Sequence, residues 1–376
     1  MSAPTSEISI PADLLPADGR FGSGPSKVRP EAVEALAAAA RDYLGTSHRQ
    51  AAVRFMVAAL RNGVSELLEL PDGYEVALGN GGTTAFWDAA TFGLIEQRSQ
   101  HLSFGEFSSK FAACTLAAPH LDDPDIIESE PGTHPGAKAS PDVDAYCFTH
   151  NETSTGVAMP LVRPEGADGL VLVDGTSAAA GLRFDATQTD AYYFAPQKGL
   201  ASDGGLWIAA VSPAAIERIE RIAASGRWVP AFLDLKIALD NSRKDQTYNT
   251  PALATIHLAV SQIEWIIDNG GMPWAAARCA ESAETIYDWA EASDYAHPYV
   301  TDPADRSQVV ATVDLVDDLP AATVSGILRA NGILDTEGYR KLGRNQLRVA
   351  LYPAIDPADV AALTRCIDHV AERLRS

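Results

Sequence analysis

Apolar residues return along this chain in two rhythms, one helical and one extended. The run PEAVEALAAAARDYL from Pro30 predicts an amphipathic helix, and the stretch from Gln50 to Leu70 predicts a second, ending at Pro71-Asp-Gly. The polar loop Gly45-Thr-Ser-His-Arg separates them. Tyr74-Glu-Val-Ala-Leu reads as a short strand, followed by the glycine turn Gly79-Asn-Gly-Gly-Thr-Thr and an alanine-rich helix from Ala85. Further short apolar runs, Ala145-Tyr-Cys-Phe-Thr, Gly169-Leu-Val-Leu-Val, Asp190-Ala-Tyr-Tyr-Phe and Gly205-Leu-Trp-Ile-Ala-Ala-Val, predict strands. Strands interleaved with helices imply an α/β fold with a mostly parallel sheet covered on both faces.

Beyond a helical stretch from Pro251 to Asp268, the pattern changes. A long helix over Met272–Glu291, a strand from Val309, a helix, an Asn331-Gly turn, a strand at Gln346-Leu-Arg-Val-Ala-Leu and a final amphipathic helix from Pro357 predict a smaller α+β unit. The expected organisation is a loose N-terminal arm over residues 1–19, a large domain over 20–268 and a small C-terminal domain over 269–376. A length of 376 residues suits such a pair better than one minimal domain.

Charge narrows the partners. A formal net charge of -21 opposes nucleic acid and anionic membrane faces, and it opposes anionic small molecules too. Any phosphate or carboxylate ligand must therefore be gathered by a local cluster of cations and helix N-termini. The four cysteines, Cys114, Cys147, Cys279 and Cys366, are scattered with no CxxC pair, which fits buried thiols in a reducing compartment and no metal site. Residues 1–20 lack a signal pattern and no long apolar run occurs, so a cytoplasmic location is expected.

Only seven lysines occur, and Lys198 follows an apolar strand directly in Tyr192-Tyr-Phe-Ala-Pro-Gln-Lys-Gly. That places it at the carboxyl edge of the sheet, where a partly desolvated amine can become nucleophilic; the plainer alternative is a lysine at a turn. Asp174 ends another buried strand, where a carboxylate without a cationic partner is costly. A protonated pyridine nitrogen would be such a partner, and a helix N-cap is the competing role. The turn at Gly79–Thr84 can hold a phosphate at the positive end of the following helix, with the hydroxyls of Thr83 and Thr84 at hand. It has neither the GxGxxG spacing of a dinucleotide site nor the ending of a P-loop.

The successive words Gly22-Ser-Gly-Pro-Ser, Ser47-His-Arg, Asn151-Glu-Thr, Val173-Asp-Gly-Thr-Ser, Pro196-Gln-Lys-Gly and Tyr248-Asn-Thr-Pro span nearly the whole chain. Their order resembles the phosphoserine aminotransferase family, within the class V aminotransferase group of fold-type I pyridoxal enzymes. The resemblance implies a seven-stranded-type sheet flanked by helices and pyridoxal 5'-phosphate as cofactor. It further implies that Lys198 binds the cofactor covalently and shuttles the proton, that Asp174 faces the pyridine nitrogen, that Gln197 contacts the cofactor and that Thr153 lies on its phenolic oxygen side. The ring-stacking residue of the family is usually Trp, and here Phe107 stands in that region, with Phe104 as a second choice.

On the same resemblance, Asn249 and Thr250 reach the cofactor phosphate from a neighbouring subunit, which implies a homodimer with shared active sites. His48 and Arg49 match a loop that contacts the substrate phosphate, and Arg348 matches the arginine that clamps the substrate's α-carboxylate. The cations Arg340, Lys341 and Arg344 are further phosphate contacts in a region whose spacing departs from the family's His-Arg pattern. The implied reaction moves the amino group of glutamate to 3-phosphohydroxypyruvate, giving O-phosphoserine and 2-oxoglutarate in serine biosynthesis. Rival readings are an aminotransferase of the alanine-glyoxylate type, a cysteine desulfurase, disfavoured because no cysteine sits in an exposed Gly/Ser-rich stretch, and a non-catalytic binding protein of the same fold.

Overall fold

The computed structural model describes residues 8–376. Nine strands belong to the first two thirds of the chain: β1 (Glu75–Asn80), β2 (Ser99–Ser103), β3 (Asp125–Glu128), β4 (Ala145–Thr149), the short pair β5 (Asn151–Glu152) and β6 (Val157–Ala158), β7 (Leu170–Asp174), β8 (Ala191–Phe194) and β9 (Leu206–Val211). Seven of them form one sheet in the order β1-β9-β8-β7-β4-β2-β3. Strands β8, β7, β4, β2 and β3 pair in parallel, while β9 runs antiparallel to both of its neighbours. The parallel strands therefore end at one edge, where an open α/β sheet places its ligands.

Alternation along each strand fills two cores. Val76, Leu78, Phe148, Val173 and Phe194 face one way, onto a layer that includes α2 (Ala51–Leu67) and α7 (Leu253–Asp268), with α1 (Pro30–Tyr43) against α7. Ala77, Cys147, Leu172, Tyr193 and Trp207 face the other, onto α3 (Thr83–Gly93), α4 (Glu106–Leu116), α5 (Pro213–Ala224) and α6 (Leu235–Ser242). The helix starts are locally encoded. Before α5, Ser212 accepts from the backbone N–H of Ala215 and Pro213 stands at the first helical position, where its missing N–H costs nothing.

The C-terminal layer holds α8 (Gly271–Ala292), β10 (Ala296–Pro298), β11 (Val310–Leu315), α9 (Ala321–Ala330), β12 (Gln346–Ala350) and α10 (Pro357–Arg375). Its strands form an antiparallel sheet, β10-β11-β12, with helices sharing a separate core. Residues 1–7 of the expected arm lie outside the described residues. The rest of that arm is fastened to this layer, not loose: Ile10 is buried in its core and donates to Asn331 Oδ1 at 2.9 Å, and Ala17 N donates to Asp359 Oδ1 at 2.8 Å; just past the arm, Phe21 is fully buried in the same cluster. No helix among the described residues is long and apolar enough to cross a membrane.

Candidate active site

Five strand ends deliver side chains to one cavity of about 440 Å³. After β1 come Gly81, Gly82, Thr83 and Thr84; after β2, Phe107 on α4; after β4, Asn151 and Thr153; at the end of β7, Asp174; after β8, Gln197 and Lys198. Arg348 enters from β12 of the C-terminal layer, so the cavity lies between the carboxyl edge of the large sheet and that layer. Its size suits a cofactor with a small substrate.

Lys198 is 7% exposed. Its Nζ donates to Thr153 Oγ1 at 2.9 Å and stands 5.2 Å from the centre of the Phe107 ring. The backbone of Gly24 packs so close that an added Cβ would come within 2.7 Å of Lys198 Cε, which leaves the lysine stem little room to swing. Burial pushes the amine down to about 8; Asp174 and Glu152 oppose that drop, and Arg348 adds to it. More of the amine is therefore neutral, and nucleophilic, near pH 7 than for an ordinary lysine. In the cofactor-free protein, the rate of acylation at Lys198, read by peptide mapping across pH, should rise with a midpoint near 8. Only the neutral amine reacts, so a midpoint near the ordinary value of about 10.4 would contradict this environment.

Asp174 is buried, accepting from Thr176 N at 2.9 Å and from the indole Nε1 of Trp87 at 3.2 Å. Burial raises its pKa, against the opposing pull of Thr176, Lys198 and Trp87. No lysine or arginine among the described residues forms an ion pair with it. A carboxylate held this way is suited to a cation brought in by a ligand.

The start of α3 forms the anion cup. Gly82 takes φ 91 as its N-cap, a left-handed conformation that favours glycine; no side chain caps the helix, and with the N–H groups of Ala85 and Phe86 returning to the Gly82 carbonyl, those of Thr83 and Thr84 are left for an anion. The Thr83 hydroxyl hydrogen-bonds Thr176 at 2.6 Å. Four buried polar atoms of residues lining the cavity lack any partner: Ser23 Oγ, Asn151 Oδ1, Gln197 Oε1 and Arg348 Nε. Arg348 Nη1 donates to the Thr153 carbonyl at 3.3 Å, and its guanidinium lies 5.2 Å from the Tyr339 ring centre. The Arg348 donor calls for an acceptor such as a carboxylate, and the two amide oxygens call for donors, so the groups together ask for a polar ligand that carries both.

Not every expected residue is gathered here. Phe107 lines the cavity, whereas Phe104 is buried away from it, edge-on to His134. Arg344 does not line it, being held by Asp314, with Nε to Oδ2 at 3.0 Å, and Arg340 is exposed outside it. Lys341 reaches Glu106 Oε1 at 2.5 Å, beside the mouth. His48, Arg49, Asn249 and Thr250 also lie outside this chain's own cavity. They form one cluster instead: Thr250 Oγ1 hydrogen-bonds His48 Nδ1 at 3.2 Å, Arg49 Nη1 donates to Gln246 at 3.3 Å, and Asn80 donates to Asn249 Oδ1 at 2.7 Å. Conversely, Trp87, Lys110, Ser177 and Tyr339 line the cavity and were not foreseen. Trp87 sits inside an apolar helix pattern, so nothing local distinguishes it from core.

This geometry defines the class, and the family comparison agrees: residues 20–363 match the Aminotransferase class-V model, and the chain belongs to that family. It is 60% identical over 369 or more residues to curated relatives, among them a protein of Nocardioides sp. (strain ATCC BAA-499 / JS614) named phosphoserine aminotransferase, covering 98% of this chain and 100% of that one. Among solved structures, a phosphoserine aminotransferase from Cytophaga hutchinsonii ATCC 33406 superposes with a TM-score of 0.86 at 24% identity, covering 93% and 97% of the two chains. An alanine–glyoxylate aminotransferase from Nostoc sp. gives 0.78 at 18%, covering 99% and 100%. The two structural likenesses speak to the fold alone. The protein is a pyridoxal-phosphate-dependent transaminase. Its site fits that cofactor: the α3 cup for the phosphate, Asp174 for the ring nitrogen, Phe107 for the ring face, and Lys198 for the aldehyde carbon.

Proposed function

We propose that the protein is a phosphoserine aminotransferase, moving the amino group of glutamate to 3-phosphohydroxypyruvate to give O-phosphoserine and 2-oxoglutarate in serine biosynthesis. The observation that carries this reading is the meeting of Lys198, Asp174 and Arg348 on one cavity in a chain 60% identical to a relative of that name. Bound pyridoxal phosphate supplies an electron sink that makes the substrate's Cα proton removable. Asp174 would hold the ring nitrogen of the bound cofactor protonated, and Phe107 would hold the face of its ring. Arg348 binds the α-carboxylate with a planar fork that a lysine lacks. Lys198 has the position and the lowered basicity to take the substrate's Cα proton and pass it on.

The full site is shared between two copies of the chain in this reading. Asn249 and Thr250 reach the partner's cofactor phosphate, Arg49 supplies a cation for the substrate phosphate, and His48, whose pKa burial and Arg49 lower, supplies a neutral ring N–H beside it. Their clustering at an exposed edge, away from their own chain's cavity, supports this, as does the need for local cations on a surface of net charge -21. A cytoplasmic location accords with serine synthesis.

Replacing Arg348 by lysine should raise KM for both glutamate and O-phosphoserine by roughly 10–100-fold, because one bidentate pair to the shared α-carboxylate becomes a single contact. Unchanged KM values in steady-state assays would remove Arg348 from the substrate site. Substrate identity is tested by half-reaction: glutamate should convert the holoenzyme to the pyridoxamine form, and 3-phosphohydroxypyruvate should convert it back. If glyoxylate or pyruvate restores the starting spectrum while the phosphorylated keto acid does not, the alanine-glyoxylate reading replaces this one.

A further inference from the structure

The side chain of Glu152 is fully buried at the start of α4, with no Lys or Arg in ion-pair contact among the described residues. Its Oε2 accepts from Ser108 N at 2.9 Å, Ser108 Oγ at 3.0 Å and Phe107 N at 3.1 Å. Its Oε1 accepts from Ser154 Oγ at 2.7 Å and Ser154 N at 3.2 Å. Ser154 Oγ in turn accepts from Glu106 N at 3.0 Å. Three successive backbone amides at the head of α4 are thus held by two neighbouring side chains of the β5 turn. Burying a carboxylate costs several kcal/mol, on the order given for ions taken from water, so so complete a set of donors answers a real demand.

The head of α4 is also where the cavity acquires its aromatic wall. Phe107 is the second residue of that helix, lines the cavity and faces Lys198 Nζ. A phenyl ring has no polar handle of its own to fix it, so its placement depends on the backbone that carries it. The fit is close: a Cβ added to Gly105 would fall 2.3 Å from Glu152 Cγ. Asn151 and Thr153, on either side of Glu152 in sequence, both line the same cavity. One short segment therefore sets the lysine's hydrogen-bond partner and, through Glu152, the ring opposite it.

We infer that Glu152 is a positioning residue, whose carboxylate clamps the first turn of α4 and so holds Phe107 against the cofactor ring. The carboxylate acts through four oxygen lone-pair directions aimed at N–H and O–H donors. An amide in its place would turn two of these into N–H donors facing donors. The inference rests on the cofactor assignment and not on which keto acid is used, so its test contains no substrate.

Apoprotein is titrated with pyridoxal phosphate and the dissociation constant read from visible absorbance, for wild type, Glu152→Gln, Phe107→Ala and the double variant, with amide exchange measured over residues 106–109. Glu152→Gln should weaken cofactor binding by about tenfold and speed exchange at Phe107 and Ser108 in a protein that still unfolds cooperatively. The double variant should bind little worse than the weaker single one, since both changes remove the same wall. Dissociation constants that multiply in the double variant, or an unaltered constant in Glu152→Gln despite faster exchange, would overturn the inference. Should Glu152→Gln fail to fold, Ser154→Ala, which removes the 2.7 Å bond to Oε1 together with the acceptor of Glu106 N but leaves the carboxylate's bonds to Phe107 and Ser108, should give a smaller change of the same sign. No change in its constant would count equally against the clamp.

Discussion

Lys198→Ala should leave a folded protein that transaminates about 10³–10⁴-fold more slowly, because one substitution removes both the covalent anchor and the base at Cα. Folding should survive, since the change deletes a buried amine whose protonation burial already disfavours. The variant should still bind pyridoxal phosphate, weakly, through the α3 cup and Asp174, but without a covalent bond to the protein. Small primary amines added to the assay should restore part of the rate by entering the space vacated beside Thr153. Activity within tenfold of wild type would mean that another group carries the proton.

The second large effect is expected at Asp174, where activity and stability should move in opposite directions. Asp174→Asn keeps the shape but loses the charge that holds the ring nitrogen protonated, and kcat should fall by about 10²–10³-fold, as when one electrostatic stabiliser is removed from an active site. In the cofactor-free protein the same carboxylate is a liability. Its pKa is raised by burial, so at neutral pH the ionised form disfavours the folded state, a cost that shrinks as pH falls through the raised folded value and is gone below the unfolded value of about 3.9. The apo form of Asp174→Asn should therefore melt at the same temperature as wild type or higher at pH 7. A variant that melts lower and keeps its activity would show that Asp174 serves Trp87 and Thr176 rather than the cofactor.

Much of the sheet was legible because its strands are short apolar runs after turn residues; β4, β7, β8 and β9 all have this form. The strands β2 and β3 were not. β2 is Ser-Gln-His-Leu-Ser, buried at every position, and its polar side chains are satisfied by partners distant in sequence or by one another: Gln100 donates to Asp125 and to the Lys138 carbonyl, and Ser99 bonds His101. No periodicity of hydrophobicity can announce such a strand, since tertiary hydrogen bonds stabilise it. β3 lies at the sheet edge and is only half covered.

The site divides in the same way. Lys198 and Asp174 were legible because each is a polar residue at the end of an apolar run, and an ionisable group there demands a reason. Trp87 and Tyr339 were not, because an aromatic residue inside a helix or a loop looks like core or surface until the fold brings it to the cavity wall. Arg344 illustrates the reverse error. Its charge suggested an anion contact, but Asp314 on the adjacent strand already satisfies it.

The most direct test is chemical. Holoenzyme reduced with borohydride fixes the cofactor to whichever lysine holds it, and digestion with mass mapping should then find the added pyridoxyl mass on the peptide containing Lys198 and on no other. The mass on Lys110, the other lysine that lines the cavity, or on no peptide at all, would contradict the assignment on which the mechanism rests.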